Sequence, residues 1–235
     1  MAKRAIFYDT ETTGLSAQKD RIIEIAAFDP VQNRTFNELV NPKRAIPQES
    51  TNICHITDDM VKDADTFDIV GKKFIEFCSG DTILVAHNND SFDRPFLEAE
   101  FTKESLEIPK WEYIDSLKWA RKYRPDLPRH ALQYLREIYN IKENQAHRAL
   151  NDVVILHQIF EKLVDDLSIE MVYKLVYQTK SDTVEHMPFG KHQGKKLSEV
   201  PKSYIRWLDE SNAFDKPQNR ALKQALEKLN LLSKG

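Results

Sequence analysis

Cysteine is scarce in this chain, with only Cys54 and Cys78 among 235 residues. Two isolated thiols build no disulfide framework and form no Cys-x-x-Cys pair for redox chemistry or zinc, so both are expected to fill the core. Long apolar runs are missing as well. None approaches the roughly 18 residues of a membrane span, and the opening MAKRAIFYDTE meets an acid before a signal-peptide apolar region can form. The expected setting is cytoplasmic, with no membrane partner. None of the seven histidines falls in an HExxH or Cys/His zinc pattern, and no serine or cysteine nucleophile has a recognisable setting. Gly190-x-x-x-Gly194-Lys-Lys is one residue short of a phosphate-binding P-loop and lacks its final Ser or Thr, so it reads as a turn. Internal repeats and low-complexity segments are absent. With 41% hydrophobic and 30% charged residues, disorder and fibre are excluded.

No excess of one charge marks the whole chain, whose net charge is -3, against the usual basic character of a nonspecific nucleic-acid binder. The distribution is uneven. Residues 180–235 carry 11 Lys and Arg against 7 Asp and Glu, a net of +4, which leaves 23 against 30, or -7, for residues 1–179. An acidic body suits a site that concentrates carboxylates, and a basic tail suits an anionic polymer.

The element order is legible from periodicity. Ala5–Tyr8, Arg21–Phe28 and Arg34–Val40 read as three consecutive strands, the first central, with turn residues between them. A capped helical turn at Thr57–Val61 and a helix opened by Thr66 and stopped by Ser79-Gly80 lead to a short apolar strand, Thr82–Ala86. Helical spacing resumes over Ser91–Phe101. A strand near Glu112–Ile114 follows, then helices at about 116–123, 130–138 and 149–165, the last with a broad apolar face. The body is α/β, with antiparallel strands first and crossovers later. A short helix, Ile169–Tyr177, gives way to the polar stretch Gln178–Thr183. Beyond it, Phe189–Leu197 reads as a tight glycine hairpin, and Tyr204–Glu210 and Asn219–Leu232 read as helices.

Asp9 and Glu11 end the first strand, and an i, i+2 pair on a strand points to one face. Two converging carboxylates are what a hard divalent cation needs, provided at least one more arrives from elsewhere. Asp93, just beyond the strand Thr82–Ala86, and Asp152, near the start of the long helix, are placed to supply it. His147 precedes Asp152 by five residues, an angle of roughly 140° on a helix, so it is expected in the entering loop. A neutral imidazole there suits general-base work on water. An aspartyl-phosphate mechanism is disfavoured, because it wants a second aspartate where Glu11 stands.

Asp9-Thr-Glu-Thr-Thr-Gly-Leu15, His87-Asn-x-x-x-Phe-Asp93 and His147-x-x-x-x-Asp152, in this order, resemble the three motifs of the DEDDh 3′ to 5′ exonucleases, the group that includes the proofreading subunit of bacterial polymerases. The resemblance implies a ribonuclease-H-like mixed five-stranded sheet flanked by helices over residues 1–165. It implies two Mg²⁺ ions, replaceable by Mn²⁺, arranged by Asp9, Glu11, Asp93 and Asp152, with His147 as the base. It also implies that Thr12, Gly14 and Leu15 hold the terminal nucleotide, with Leu15 wedged against the base and Phe92 and Ile53 near the sugar. The implied partner is DNA with a single-stranded or frayed 3′ end, and the implied products are nucleoside 5′-monophosphates. RNA is the alternative substrate. A noncatalytic nucleic-acid-binding subunit of a polymerase is the alternative class, marked by loss of a ligand or of the base, and none is lost here.

The tail is similar to the small C-terminal module of the exodeoxyribonuclease X subfamily through Met187-Pro-Phe-Gly-Lys-x-x-Gly-Lys and Tyr204-Ile-Arg-Trp-Leu208. This gives an expected division into residues 1–165, a connector at 166–181 and a module at 182–235. One departure stands out. The family's usual Ile-His-x-Ile-Thr is here Ile53-Cys54-His55-Ile56-Thr57, with the histidine displaced by one. In the tail, Lys191, Lys195, Lys196, Lys202 and Arg206 interleave with Tyr204 and Trp207, which suits a nucleic-acid backbone. The competing expectation is that Phe189, Leu197, Trp207 and Leu208 only pack the module.

Overall fold

Strand β1 (Arg4–Thr12) is apolar on both faces, with Ile6 and Tyr8 fully buried towards one side and Phe7 buried towards the other. A strand buried on both faces belongs in the middle of a covered sheet. A computed structural model describes residues 3–142, 149–177, 184–215 and 219–232, and in it β1 is the central strand of five, in the order β3-β2-β1-β4-β5. β2 (Ile22–Asp29) and β3 (Arg34–Leu39) continue antiparallel on one side. β4 (Thr82–Ala86) and β5 (Glu112–Asp115) add parallel pairings on the other. This is the ribonuclease-H-like mixed sheet that the motifs implied.

Two helical layers cover the sheet. On the face of Ile6 and Tyr8 lie α3 (Phe67–Phe77) and α4 (Asp93–Lys103), which bury Phe67, Val70, Phe74, Phe96, Leu97 and Phe101. On the face of Phe7 lie α5 (Ser116–Tyr123), α7 (Ala149–Val164) and α8 (Ile169–Tyr177), which bury Trp119, Val153, Leu156, Phe160 and Val172. Between α5 and α7, α6 (Leu132–Ile138) packs Leu135 against Ile155 and Ile159. Each large buried side chain contributes about 1.5–3 kcal/mol, and these layers fix the ends of β1 and α7 relative to one another. Among the described residues no helix is long and apolar enough to cross a membrane. Cys54 and Cys78 are both buried and unpaired, as core fillers.

Two local differences from the sequence reading bear on the site. β1 runs on to Thr12 instead of stopping near Tyr8, because Asp9, Thr10 and Glu11 keep pairing with Ala26, Ile25 and Glu24 before a register shift between Glu11 and Thr12. The acids therefore stand in the strand and not after it. A helix absent from that reading, α1 (Gln48–Cys54), follows Pro47 and buries only Cys54, so it shows no apolar period. A single turn, α2 (Asp58–Val61), comes after it.

The chain divides into two compact units, Met1–Val176 and Tyr177–Gly235. The helix expected in the connector, α8, belongs largely to the first, where Val172 is fully buried. The second unit has its own core of Met187, Leu197, Val200, Ile205, Leu208, Phe214, Leu222 and Leu226. The expected glycine hairpin is a turn closed by Met187 N to Lys195 O at 2.7 Å and Gly194 N to Met187 O at 2.8 Å, with Gly190 and Gly194 both at positive φ. Two helices complete the unit, α9 (Lys202–Glu210) and α10 (Arg220–Lys228).

Leu156, only 1% exposed on α7, tests the packing that holds this helix on the sheet. Leu156→Ala is expected to cost about 2–5 kcal/mol, read as a lower urea midpoint. A midpoint unchanged from wild type would show that α7 is not held by this contact.

Candidate active site

Alternation along β1 decides which acids meet. Phe7 faces α7, so Asp9 and Glu11, two and four residues on, face it too. Asp152 lies in the first turn of α7, and carboxylate oxygens of Asp9, Glu11 and Asp152 all lie within 4.8 Å of one another. Thr10 points to the opposite face, where α4 begins. There Asp93 accepts hydrogen bonds from Thr10 N at 3.1 Å and Thr10 Oγ1 at 2.8 Å. Three of the four acids picked out in the sequence thus form one cluster, and the fourth is anchored beside it from the other side of the strand. Oxygen donors at this spacing fit a hard divalent ion such as Mg²⁺.

Buried and half-buried polar groups set the positions of these acids. Gln133 on α6 donates from Nε2 to Asp152 Oδ1 at 2.9 Å, and Arg136 Nε in turn donates to Gln133 Oε1 at 2.8 Å. Glu24, 1% exposed and opposite Glu11 in the β1–β2 register, accepts from Ala149 N at 3.2 Å and so holds the start of α7. Asp115, at the end of β5, accepts from Asn88 N and Asp90 N at 3.1 Å and from Leu117 N at 2.9 Å. It ties the loop that leads to Asp93 to the start of α5. The sequence reading missed all three. Glu24 left a signal, a lone acid in the apolar strand Ile22-Ile-Glu-Ile-Ala-Ala, whereas nothing in the sequence singles out Gln133 or Asp115.

Histidines divide by environment. His87 lies between Ser116 Oγ and the carbonyl oxygen of His130, each 2.8 Å from a ring nitrogen. Burial pushes its pKa down to about 4, so it stays neutral and acts as a structural bridge. His147 lies outside the described residues. His55 is exposed and sits at the left-handed end of α1, while Cys54 beside it is buried. The shifted segment therefore turns the thiol, not the imidazole, into the protein.

Thr12, Gly14, Leu15, Ile53 and Phe92 all line one cavity of about 260 Å³, together with Glu11 from the acidic cluster. Leu15 and Ile53 are 87% and 59% exposed there, an apolar rim open to solvent. The loop that carries them is held by Thr12 Oγ1 donating to Gly14 O at 2.6 Å and by Asp20, which accepts from Ser16 N at 3.0 Å. A Cβ on Gly14 would lie 2.5 Å from the Asp20 carboxylate, so any larger residue there would displace the side chain that holds Ser16 N. A second cavity, of about 530 Å³, is lined by His87, Asn88, Arg121, Arg129, His130 and Leu132 among others. Leu132 adjoins Gln133, the partner of Asp152. Among the described residues neither Arg121 nor Arg129 has a carboxylate partner.

Crowding shapes the electrostatics. Burial first, then the charges of Asp93, Glu11, Asp152 and Glu24, raise the Asp9 pKa well above the ordinary carboxylate range. Burial lifts Asp93 to about 7, against the two hydrogen bonds from Thr10. Carboxylates this close do not all ionise unless cations join them.

Comparison with known proteins agrees with this geometry. The family described as "Exonuclease" (RNase_T) matches residues 6–160, and residues 178–230 match a family described as "Putative quorum-sensing-regulated virulence factor". DNA polymerase III PolC-type of Listeria innocua is 40% identical over 162 residues, which cover 68% of this chain and 11% of that protein. The Staphylococcus epidermidis protein of the same name is 34% identical over 165 residues, 69% of this chain and again 11% of its own length. The chain thus spans about a tenth of these relatives. Among solved structures, Exonuclease X in complex with 5′ overhanging duplex DNA superposes with a TM-score of 0.59 at 26% identity, covering 73% of this chain and 99% of that one. E. coli Exonuclease I in complex with a dA16 oligonucleotide superposes with a TM-score of 0.62 at 19% identity, over 74% of this chain and 42% of that one.

The raised carboxyls give a pH test. A group whose pKa is raised on folding adds stability below its unfolded value, near 4 for a carboxyl, and loses it as pH rises through its folded value, about 7 for Asp93. With divalent ions chelated, the melting temperature is expected to fall from about pH 5 to about pH 7.5, and Asp93→Asn, neutral throughout, to flatten that fall. An identical profile for both proteins would remove Asp93 from the effect.

Proposed function

Because the chain belongs to the RNase_T exonuclease family over residues 6–160, we propose that it hydrolyses DNA from 3′ ends and releases nucleoside 5′-monophosphates. One observation carries the reading: Asp9, Glu11 and Asp152 converge within 4.8 Å beside a cavity lined by every residue the motifs implied for nucleotide binding. Asp9, Glu11 and Asp152 would hold Mg²⁺, or Mn²⁺ in its place, with Asp93 completing the set for a second ion. When bound, such ions neutralise charge on the attacking and leaving oxygens.

The protein's own groups supply the rest. Leu15 and Ile53 offer apolar contact to the terminal base and sugar, and Phe92, tilted against Phe96 at 4.9 Å, closes the cavity wall. Contact with a base face does not read sequence, so single-stranded or frayed ends are preferred without strong base selection. Asn88, Arg121 and Arg129 line the neighbouring cavity, where guanidiniums without a carboxylate partner among the described residues suit the phosphates of the strand behind the terminal nucleotide. His147 takes the proton of the attacking water, and the phosphodiester bond to the leaving 3′ oxygen breaks.

DNA is favoured over RNA because the solved Exonuclease X structure that covers most of this chain holds duplex DNA. A noncatalytic role is disfavoured by the intact acids, three of which are assembled. The deciding assay sets 3′-labelled single-stranded DNA, duplex DNA and RNA side by side, with Mg²⁺, with Mn²⁺ and with chelator. Loss of label as mononucleotide from DNA, dependent on the metal, is the expected outcome, and faster removal from RNA would reassign the substrate.

Asp9→Ala and Asp152→Ala are expected to abolish cleavage in folded protein, because each removes an acid from the cluster. Near wild-type digestion by either variant, or by wild type in chelator, would refute the metal assignment. His147→Ala is expected to lower turnover by about 10²–10⁴ with substrate binding retained. The wild-type rate should rise with pH through the imidazole range, and a variant that kept this rise would take His147 out of the base role.

A further inference from the structure

Trp207 is 57% exposed, although every large apolar neighbour in its unit's core is buried. It is absent from that core, so the expectation that it merely packs the module fails for this residue, while Leu197 and Leu208 do pack and Phe189 is half-buried against them. Instead Trp207 stacks on Tyr204, with ring centroids 5.6 Å apart and 27° between planes. Tyr204 is itself fixed. Its hydroxyl accepts from Lys191 N at 3.3 Å, His192 sets its ring edge against it at 4.7 Å, and a Cβ on Gly190 would lie 2.3 Å from its oxygen. The glycine turn, with Gly190 at a φ of 76°, is thus fitted to the tyrosine. The result is a rigid two-ring platform whose outer ring has an open face.

Cations lie beside it on the glycine turn. Lys191, Lys195 and Lys196 lie on or beside the glycine turn that holds Tyr204, whereas Lys202 and Arg206, four residues apart, form a stripe on α9 roughly 150° round the helix from the one that carries Tyr204 and Trp207. All five are exposed, and none has a carboxylate partner among the described residues. Asp209 and Glu210 close α9 within one turn of Trp207, so the positive charge near the two rings is that of the glycine turn. Leu229, 50% exposed, is the other large apolar side chain open on α9 or α10 or the turns between them, among the described residues. A docked protein helix would need a broader apolar strip than one indole and one leucine. An open ring face beside a cationic turn matches a stacked base with its phosphates towards the lysines.

We propose that the C-terminal unit is a binding site for single-stranded nucleic acid, in which a base stacks on the outer face of Trp207 and the lysines of the glycine turn contact the adjoining phosphates. A tethered site of this kind raises the local concentration of the strand around the nuclease without touching the chemistry. The two sites use different residues, so failure of one reading leaves the other testable.

The experiment uses the full chain in chelator, with binding of a labelled single-stranded DNA 20-mer followed by anisotropy across a salt series. Trp207→Ala is expected to weaken binding about ten-fold, within the range for loss of one stacked base, and Trp207→Phe to restore most of it. The double variant Lys195→Gln, Lys196→Gln should flatten the logarithmic salt slope by about 1.4, at about 0.7 per phosphate contact on single strands. In Mg²⁺, hydrolysis of the p-nitrophenyl ester of thymidine 5′-phosphate, which has no neighbouring nucleotide, should be unchanged in all three variants. Wild-type affinity and slope in the variants would overturn the proposal, even if a protein were then found on this face. Equal loss in Trp207→Ala and Trp207→Phe, with altered circular dichroism, would also overturn it by showing a structural role.

Discussion

Repulsion among carboxylates at the end of β1 is the constraint around which the first unit is built. Asp9 feels the charges of Asp93, Glu11, Asp152 and Glu24 in a buried setting, an arrangement that opposes folding unless packing elsewhere outweighs it. The outweighing layers are those that sandwich β1: Tyr8, Phe74 and Phe96 on one side, Phe7, Leu156 and Phe160 on the other. The same side chains that bury the strand therefore force its acids together. Pleat does the sorting, since odd residues meet α7 and Thr10 meets Asp93.

Positioning comes from a second ring of polar groups that do no chemistry of their own. Asp115 fixes the loop before Asp93, Glu24 fixes the first amide of α7, and Gln133 aims the Asp152 carboxylate. Each lies on a different element, β5, β2 and α6, so the geometry of the cluster reports on the docking of the whole sheet and not on one loop.

Much of this was legible in the sequence because it rests on short-range rules. Period-two alternation placed Asp9 and Glu11 on one face, and the apolar period of 149–165 placed Asp152 near a helix start. What was not legible depends on long-range pairing. The extension of β1 through Thr12 is set by its register with β2, and α1 carries no apolar period because it buries a single residue. Gln133 and Asp115 act across 19 and 25 to 27 residues of chain, a separation at which one sequence gives no sign of contact. Trp207 shows the converse limit. Helical spacing suits a core tryptophan and a platform tryptophan equally, and only the fold of the second unit separates them.

Gln133 aims Asp152 with an amide, and Thr10 aims Asp93 with a hydroxyl and a main-chain amide. Neutral donors orient an acid without cancelling its charge. Lysine or arginine at these two positions would add a fixed charge that competes with any incoming ion. As built, these two donors give direction and add no charge, so the orientation of each acid is set independently of the number of charges at the end of β1.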